Sequence, residues 1–172
     1  MKFFYTVFAL FFAVVLVACG PTTTEEATDM TAADDESTAI ANDCPEAGED
    51  GEITIVPGLT ATIITKGYGR AAVNGDYADV HTTLWLYDGE ADGGRGTEIW
   101  SSGGQQPFQF QIGSGQVIKG WDLGVPCMLI GETRELKIIG DLAYGPAGRL
   151  PIPPNATLLF SVELVKLTSP EE

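Results

Sequence analysis

Gly115-Gln116-Val117-Ile118-Lys119-Gly120-Trp121-Asp122-Leu123-Gly124-Val125 is the stretch whose reading decides the fold. Val117, Trp121 and Val125 recur every four residues, which places them on one face of a helix. Gly115 and Gly120 punctuate the stretch, and Pro126 ends it because proline cannot continue a helical hydrogen-bond ladder. A helix this short cannot hold itself together in water and must be fixed by packing against something larger. Trp121 is therefore expected to form the floor of an apolar pocket whose walls lie elsewhere in the chain.

Working outward, Phe108, Phe110 and Ile112 alternate with Gln109 and Gln111, the pattern of a strand with one apolar face. On the other side, 133–139 sets Leu136 and Ile138 against Glu135 and Lys137. Farther out, 79–87 places Val80, Thr82, Leu84 and Leu86 on one face and His81, Thr83 and Trp85 on the other. The stretch 157–167 does the same with Leu158, Phe160, Val162 and Leu164, and 58–65 is a β-branched run. A short strand is expected over 97–101. Glycine-rich turns fall at 67–69 and 74–76, and 140–154 reads as a loop around Tyr144 and Gly145. Residues 88–96 read as a flexible hairpin loop; its glycines lack the Gly-Lys-Ser/Thr ending of a phosphate-binding loop. The predicted class is α+β, a curved antiparallel β-sheet wrapped around one short helix.

The chain carries 24 Asp and Glu against 9 Lys and Arg, which argues against nucleic acid as a partner. The acidity is concentrated: residues 20–52 hold 11 acids and no base, leaving 13 acids and 8 bases after residue 52. Met1 and Lys2 precede an apolar run to Ala18 of secretory-signal length, short for a membrane span. The run closes Leu16-Val17-Ala18-Cys19-Gly20, which resembles the processing box of bacterial lipoproteins. That resemblance implies a signal over 1–18, lipid on Cys19, and a mature protein tethered in the cell envelope outside the cytoplasm, at the outer membrane where one exists. Residues 19–52 then form an acidic solvated tether and 53–172 the folded domain, because the tether is too poor in apolar residues to offset its conformational entropy. With Cys19 lipidated, Cys44 and Cys127 remain, either as a disulfide or as two separate thiols. No metal site is expected, since the single His81 lies far from both cysteines, and its own expected role is structural.

Taken together, the segments of the folded region resemble the FKBP family of peptidyl-prolyl cis/trans isomerases over 57–167. The matching pieces are Pro107-Phe108-Gln109-Phe110 with Ile112-Gly113, Val117-Ile118-Lys119-Gly120-Trp121-Asp122, Gly131-Glu132 and Ala143-Tyr144-Gly145. Ile152-Pro153-Pro154-Asn155-Ala156-Thr157-Leu158 and Phe160-Ser161-Val162-Glu163-Leu164 complete the ordered set, and Val80-His81-Thr82-Thr83 with Ser101-Ser102 extends it upstream.

The resemblance implies a cofactor-free isomerase acting on Pro-containing segments of exported polypeptides, expected to be a monomer. It places Trp121 at the floor, Phe108, Val117, Ile118, Ile152 and Phe160 in the walls, and makes the Ile118 N–H and the Tyr144 hydroxyl donors to substrate carbonyls. Ile99, Trp100 and Thr82 fall at substrate-binding positions, all three altered. Thr82 stands where the family has Tyr, and Ile99-Trp100 where it has Phe-Asp, so two polar pocket groups are missing. Glu98 is expected on the strand face of Trp100. The 140–154 loop is about one residue short of the family pattern, and 89–96 is an insertion. These departures imply weakened or altered isomerase activity and poor affinity for the family's macrolide inhibitors. The alternative is a non-catalytic chaperone or binding module that uses the same pocket for proline-containing or apolar segments.

Overall fold

Alternating β-branched and aromatic residues build seven strands whose pairings are all antiparallel. They are β1 (Glu52–Val56), β2 (Leu59–Thr65), β3 (Tyr77–Tyr87), β4 (Arg95–Ser101), β5 (Phe108–Gln111), β6 (Thr133–Ile138) and β7 (Leu158–Thr168), with one helix, α1 (Lys119–Gly124), between β5 and β6. The computed structural model describes residues 44–46, 48 and 51–171. The expected signal, Cys19 and most of the tether lie outside them. In the sheet the order is β1-β2-β6-β7-β3-β4, and β5 also pairs with β3. The long pair β3 and β7 runs from Tyr77 opposite Thr168 to Leu86 opposite Leu158. One edge of β3 is shared: Tyr77 to Val80 pair with β5, and Thr83 to Tyr87 pair with β4.

The inward faces of the strands, including Leu59, Val80, Leu136, Ile138, Leu158, Val162 and Leu164, form a buried core. Helix α1 rests on β6. A Cβ on Gly120 would come within 2.5 Å of the Ile138 side chain, and one on Gly124 within 2.9 Å of Leu136. Gly120 is thus inside the helix as a close-packing residue, where the sequence reading made it punctuation. The helix is also shorter than its periodicity suggests. Ile118 is extended (φ −61°, ψ 148°), so Val117 precedes the helix instead of lying on its face.

Arg134 shares the inward face of β6 with Leu136 and Ile138 and is buried with Glu132. Its Nε donates to Glu132 Oε1 at 2.7 Å, and its Nη1 donates to the Gly124 and Pro126 carbonyls at 3.0 and 3.3 Å. Glu132 Oε2 accepts the Leu129 N–H at 3.0 Å. The cation therefore meets carbonyls at the C-terminal end of α1, where a positive charge also suits the helix dipole. Cys127, just beyond, is disulfide-bonded to Cys44 with a Cα separation of 5.7 Å.

Glu52–Val56, which the sequence pattern does not mark, is a strand paired with β2. Two sequence expectations are corrected. The strand after the 88–96 loop begins at Arg95 rather than Thr97, because Tyr87 pairs with Arg95. Glu98 and Trp100 lie on opposite faces: a bulge sets Glu98 against Trp85 and Trp100 against Leu84, so strict alternation fails there.

Elsewhere a buried carboxylate fastens a loop. Asp76 accepts from Arg70 Nη1 at 2.6 Å, Arg70 Nη2 at 3.1 Å and the Val73 N–H at 3.0 Å. Burial pushes the Asp76 carboxyl up, but the Arg70 hydrogen bond, the Val73 N–H and the Arg70 charge outweigh it and hold it below the usual carboxylate range.

Candidate functional site

With its glycines pressed onto β6, α1 presents Trp121 to a ring of aromatics. The Trp121 ring centroid lies 5.3 Å from that of Phe160, edge to face, 5.5 Å from Phe110 and 6.3 Å from Phe108. Phe108 and Phe110 come from β5 and Phe160 from β7, so three rings from two strands converge on one indole. The result is the floor of a cavity of 870 Å³, within the size range of small-ligand pockets.

Phe108, Val117, Ile118, Ile152 and Phe160 border this cavity, and so do Ile99, Trp100, Thr82 and Tyr144. All ten residues singled out for the pocket from sequence are brought together here. The β4 bulge lets the neighbours Ile99 and Trp100 both border the cavity, which a regular strand would not allow. Trp100 does not fill the space: it stands at the mouth, 45% exposed. Sequence reasoning missed Leu84, Gln116, Lys119, Ala143, Arg149, Leu150 and Pro151, which also border it. Lys119 and Arg149 lie close to Ile118 and Ile152 in sequence, but only the fold brings helix α1 and the 145–152 loop to one cavity.

Two hydrogen-bond donors reach the cavity uncommitted. Ile118 begins α1 with its carbonyl, which accepts from the Trp121 and Asp122 N–H groups at 2.9 and 3.3 Å, while its own N–H has no acceptor among the described residues. Asp122 reaches back to accept from the Gly113 and Gly115 N–H groups at 3.0 and 2.9 Å, fixing the turn before Ile118. Tyr144 sits between the 3-10 turns Gly140–Leu142 and Gly145–Ala147, half-buried, with no hydrogen-bond partner for its hydroxyl among the described residues. Its loop is clamped by reciprocal backbone hydrogen bonds between Arg149 and Ile152 and by the Asn155 N–H donating to the Gly145 carbonyl at 2.9 Å.

The polar interior is sparse. Thr82 Oγ1 and Trp121 Nε1 are buried without a partner among the described residues, and each such group costs about 1–3 kcal/mol. The Thr82 N–H donates to Ser102 Oγ at 2.8 Å, and His81 Nδ1 lies 3.3 Å from the same oxygen on the other face of β3. His81 thus joins β3 to the segment after β4 and does not border the cavity. No group of three or more metal-ligating side chains occurs among the described residues. Chemically, the site can strip water from an apolar ring, seat it on Trp121 and offer two hydrogen bonds to adjacent carbonyls.

The family model for FKBP-type peptidyl-prolyl cis-trans isomerase matches residues 68–165. FK506-binding protein 1 of Aspergillus oryzae is 42% identical over 114 residues, spanning 64% of this chain and 98% of the relative. FK506-binding protein 1 of Gibberella zeae is 46% identical over 112 residues, again 64% of this chain and 98% of the relative. Among solved structures, the crystal structure of AtFKBP13 superposes with a TM-score of 0.55 at 36% identity, covering 64% of this chain and 93% of that one.

Proposed function

This chain belongs to the FKBP-type peptidyl-prolyl cis-trans isomerases and has their activity, and we propose that it exercises it, in weakened form, on exported polypeptides while anchored to a membrane. Rotation about an X–Pro bond is slow because the amide has partial double-bond character, with a barrier of about 18–20 kcal/mol. No nucleophile is required. Holding the twisted amide more tightly than either planar form lowers the barrier, and an apolar cavity does this by removing the water that favours the planar, more polar amide. In this reading the proline ring sits on Trp121 between Phe108 and Phe160, and the wall is completed by Val117, Ile152, Ile99 and Thr82. The Ile118 N–H and the Tyr144 hydroxyl bind the flanking carbonyls.

The observation that carries the reading is the pair of uncommitted donors, Ile118 N–H and Tyr144 hydroxyl, on one aromatic-floored cavity. Weakened turnover is supported by the absence of any carboxylate among the described residues that border the cavity, with Trp100 in the position where the resemblance expects Asp. A protease-coupled assay on a proline peptide tests this: turnover below that of a family member carrying the acid is expected, and equal turnover would reject the weakening. The same altered rim supports poor affinity for the family's macrolide inhibitors.

Anchoring rests on the signal-like run and the Leu16-Val17-Ala18-Cys19-Gly20 box. Expression of the full chain in a bacterium, followed by fractionation, tests it. Recovery in the membrane fraction that Cys19→Ala abolishes is expected, and identical distribution of the two proteins would reject lipidation at Cys19.

A second reading, a holding role for apolar segments, is favoured by Leu150, which borders the cavity mouth at 98% exposure. It predicts suppression of aggregation of a denatured client that Leu150→Ser weakens.

A further inference from the structure

The cavity mouth carries charge of one sign on a protein dominated by the other. Among the described residues, Lys119 and Arg149 are the only charged ones that border the cavity, whereas the chain as a whole has a formal net charge of −15. Arg70, Arg95, Arg134 and Lys137 are each ion-paired, while Lys119 and Arg149 have no carboxylate partner among the described residues. Arg149 is held in place. Its N–H donates to the Ile152 carbonyl at 3.0 Å and its carbonyl accepts from the Ile152 N–H at 2.6 Å. Its guanidinium carbon lies 5.9 Å from the Tyr144 ring centroid. Lys119 follows Ile118 directly, and its exposed side chain borders the same cavity as Ile118. Two carboxylates lie close in sequence, Asp122 and Asp141, and neither borders the cavity. Asp122 is occupied by the Gly113 and Gly115 N–H groups, and Asp141 is exposed.

We propose that this mouth selects proline segments in which the residue next to the proline is Asp or Glu. The inference rests on the isomerase reading and adds the class of substrate sequence. A carboxylate beside the proline would be within contact range of Lys119 or Arg149 once the ring is seated on Trp121. An exposed pair of this kind changes affinity by about two- to fivefold. Repulsion from carboxylates elsewhere does not cancel it, because at 0.15 M ionic strength charges more than about 8 Å away are largely screened.

The test uses the full chain and three peptides that differ only in the residue before the proline: Glu, Gln or Lys. Catalysed exchange is measured by NMR relative to the uncatalysed rate, and dissociation constants are measured on the same peptides. At 0.15 M salt the expected order is Glu, then Gln, then Lys. The Glu-to-Lys ratio should be about tenfold and should fall towards one at 1 M salt. In the Lys119→Gln/Arg149→Gln double variant the ratio should collapse at every salt concentration. Equal values for the Glu and Lys peptides, or a ratio that the double variant retains, overturns the proposal. Failure of all three peptides to exchange faster would strike the isomerase reading instead. The dissociation constants then decide selectivity: tighter binding of the Glu peptide upholds it, and equal binding overturns it.

Discussion

Trp121 at the cavity floor is 5% exposed and boxed in by three aromatic rings, whereas Trp100 at the mouth is 45% exposed and stands in solvent on a bulged strand. The same residue type meets two opposite environments about one cavity. At the floor, every neighbour is fixed by something else: α1 by its glycines on β6, its C-terminal carbonyls by Arg134, and the chain beyond by the Cys44–Cys127 bond. The mouth is assembled from a loop and a bulge whose side chains carry little packing. Changes at the floor should therefore be read in stability, and changes at the mouth in turnover and selectivity.

The largest effect that can break this contrast is at Arg134. Arg134→Ala strands Glu132 as a buried, unpaired charge and removes the donor to the Gly124 carbonyl, for an expected loss of about 3–5 kcal/mol in urea unfolding. A loss under 1 kcal/mol would mean the floor is not held from below. Reduction of the disulfide, which closes a loop of 83 residues, should lower stability by about 2–5 kcal/mol, read as a drop in Tm that alkylation makes permanent. Gly120→Ala forces a methyl against Ile138 and should cost about 1–3 kcal/mol, with turnover falling as Trp121 shifts.

Trp100→Asp sharpens the contrast from the other side. Its stability should stay within about 0.5 kcal/mol of the parent, as for an exposed site, while turnover on a proline peptide rises severalfold. The smallest effect is the pH dependence at Asp76, which does not border the cavity. Its carboxyl is held below its ordinary value in the folded chain, so its stabilisation is present above the unfolded pKa of about 3.9 and is lost as pH falls through the lower folded value. Asp76→Asn should flatten the acid limb of the stability profile below about pH 4 and leave the neutral region parallel to the parent.

The floor was legible in the sequence because it is made of periodic apolar residues: Phe108 and Phe110, Trp121, and Phe160 each sit in a pattern that names its own face. Cys44 and Cys127 could be paired only as an option, since a disulfide needs a Cα separation that sequence does not contain. The mouth was legible only by resemblance. The β4 bulge follows from pairing with β3, not from local alternation, so the faces of Glu98 and Trp100 could not be read correctly from their spacing. Arg134 is a different case. It is in phase with Leu136 and Ile138 and so was readable as inward-facing, but the carbonyls that make an inward arginine tolerable come from residues 124–127, and only the fold brings them there.

The most direct test of a catalytic cavity with an intact floor is the exchange rate across a single X–Pro bond, measured by NMR with the full chain and with its Tyr144→Phe variant. The parent should accelerate exchange, and the variant should lose about two- to tenfold of that acceleration, the worth of one hydrogen bond to the substrate. No acceleration by a folded parent, or acceleration that Tyr144→Phe leaves untouched, would contradict it.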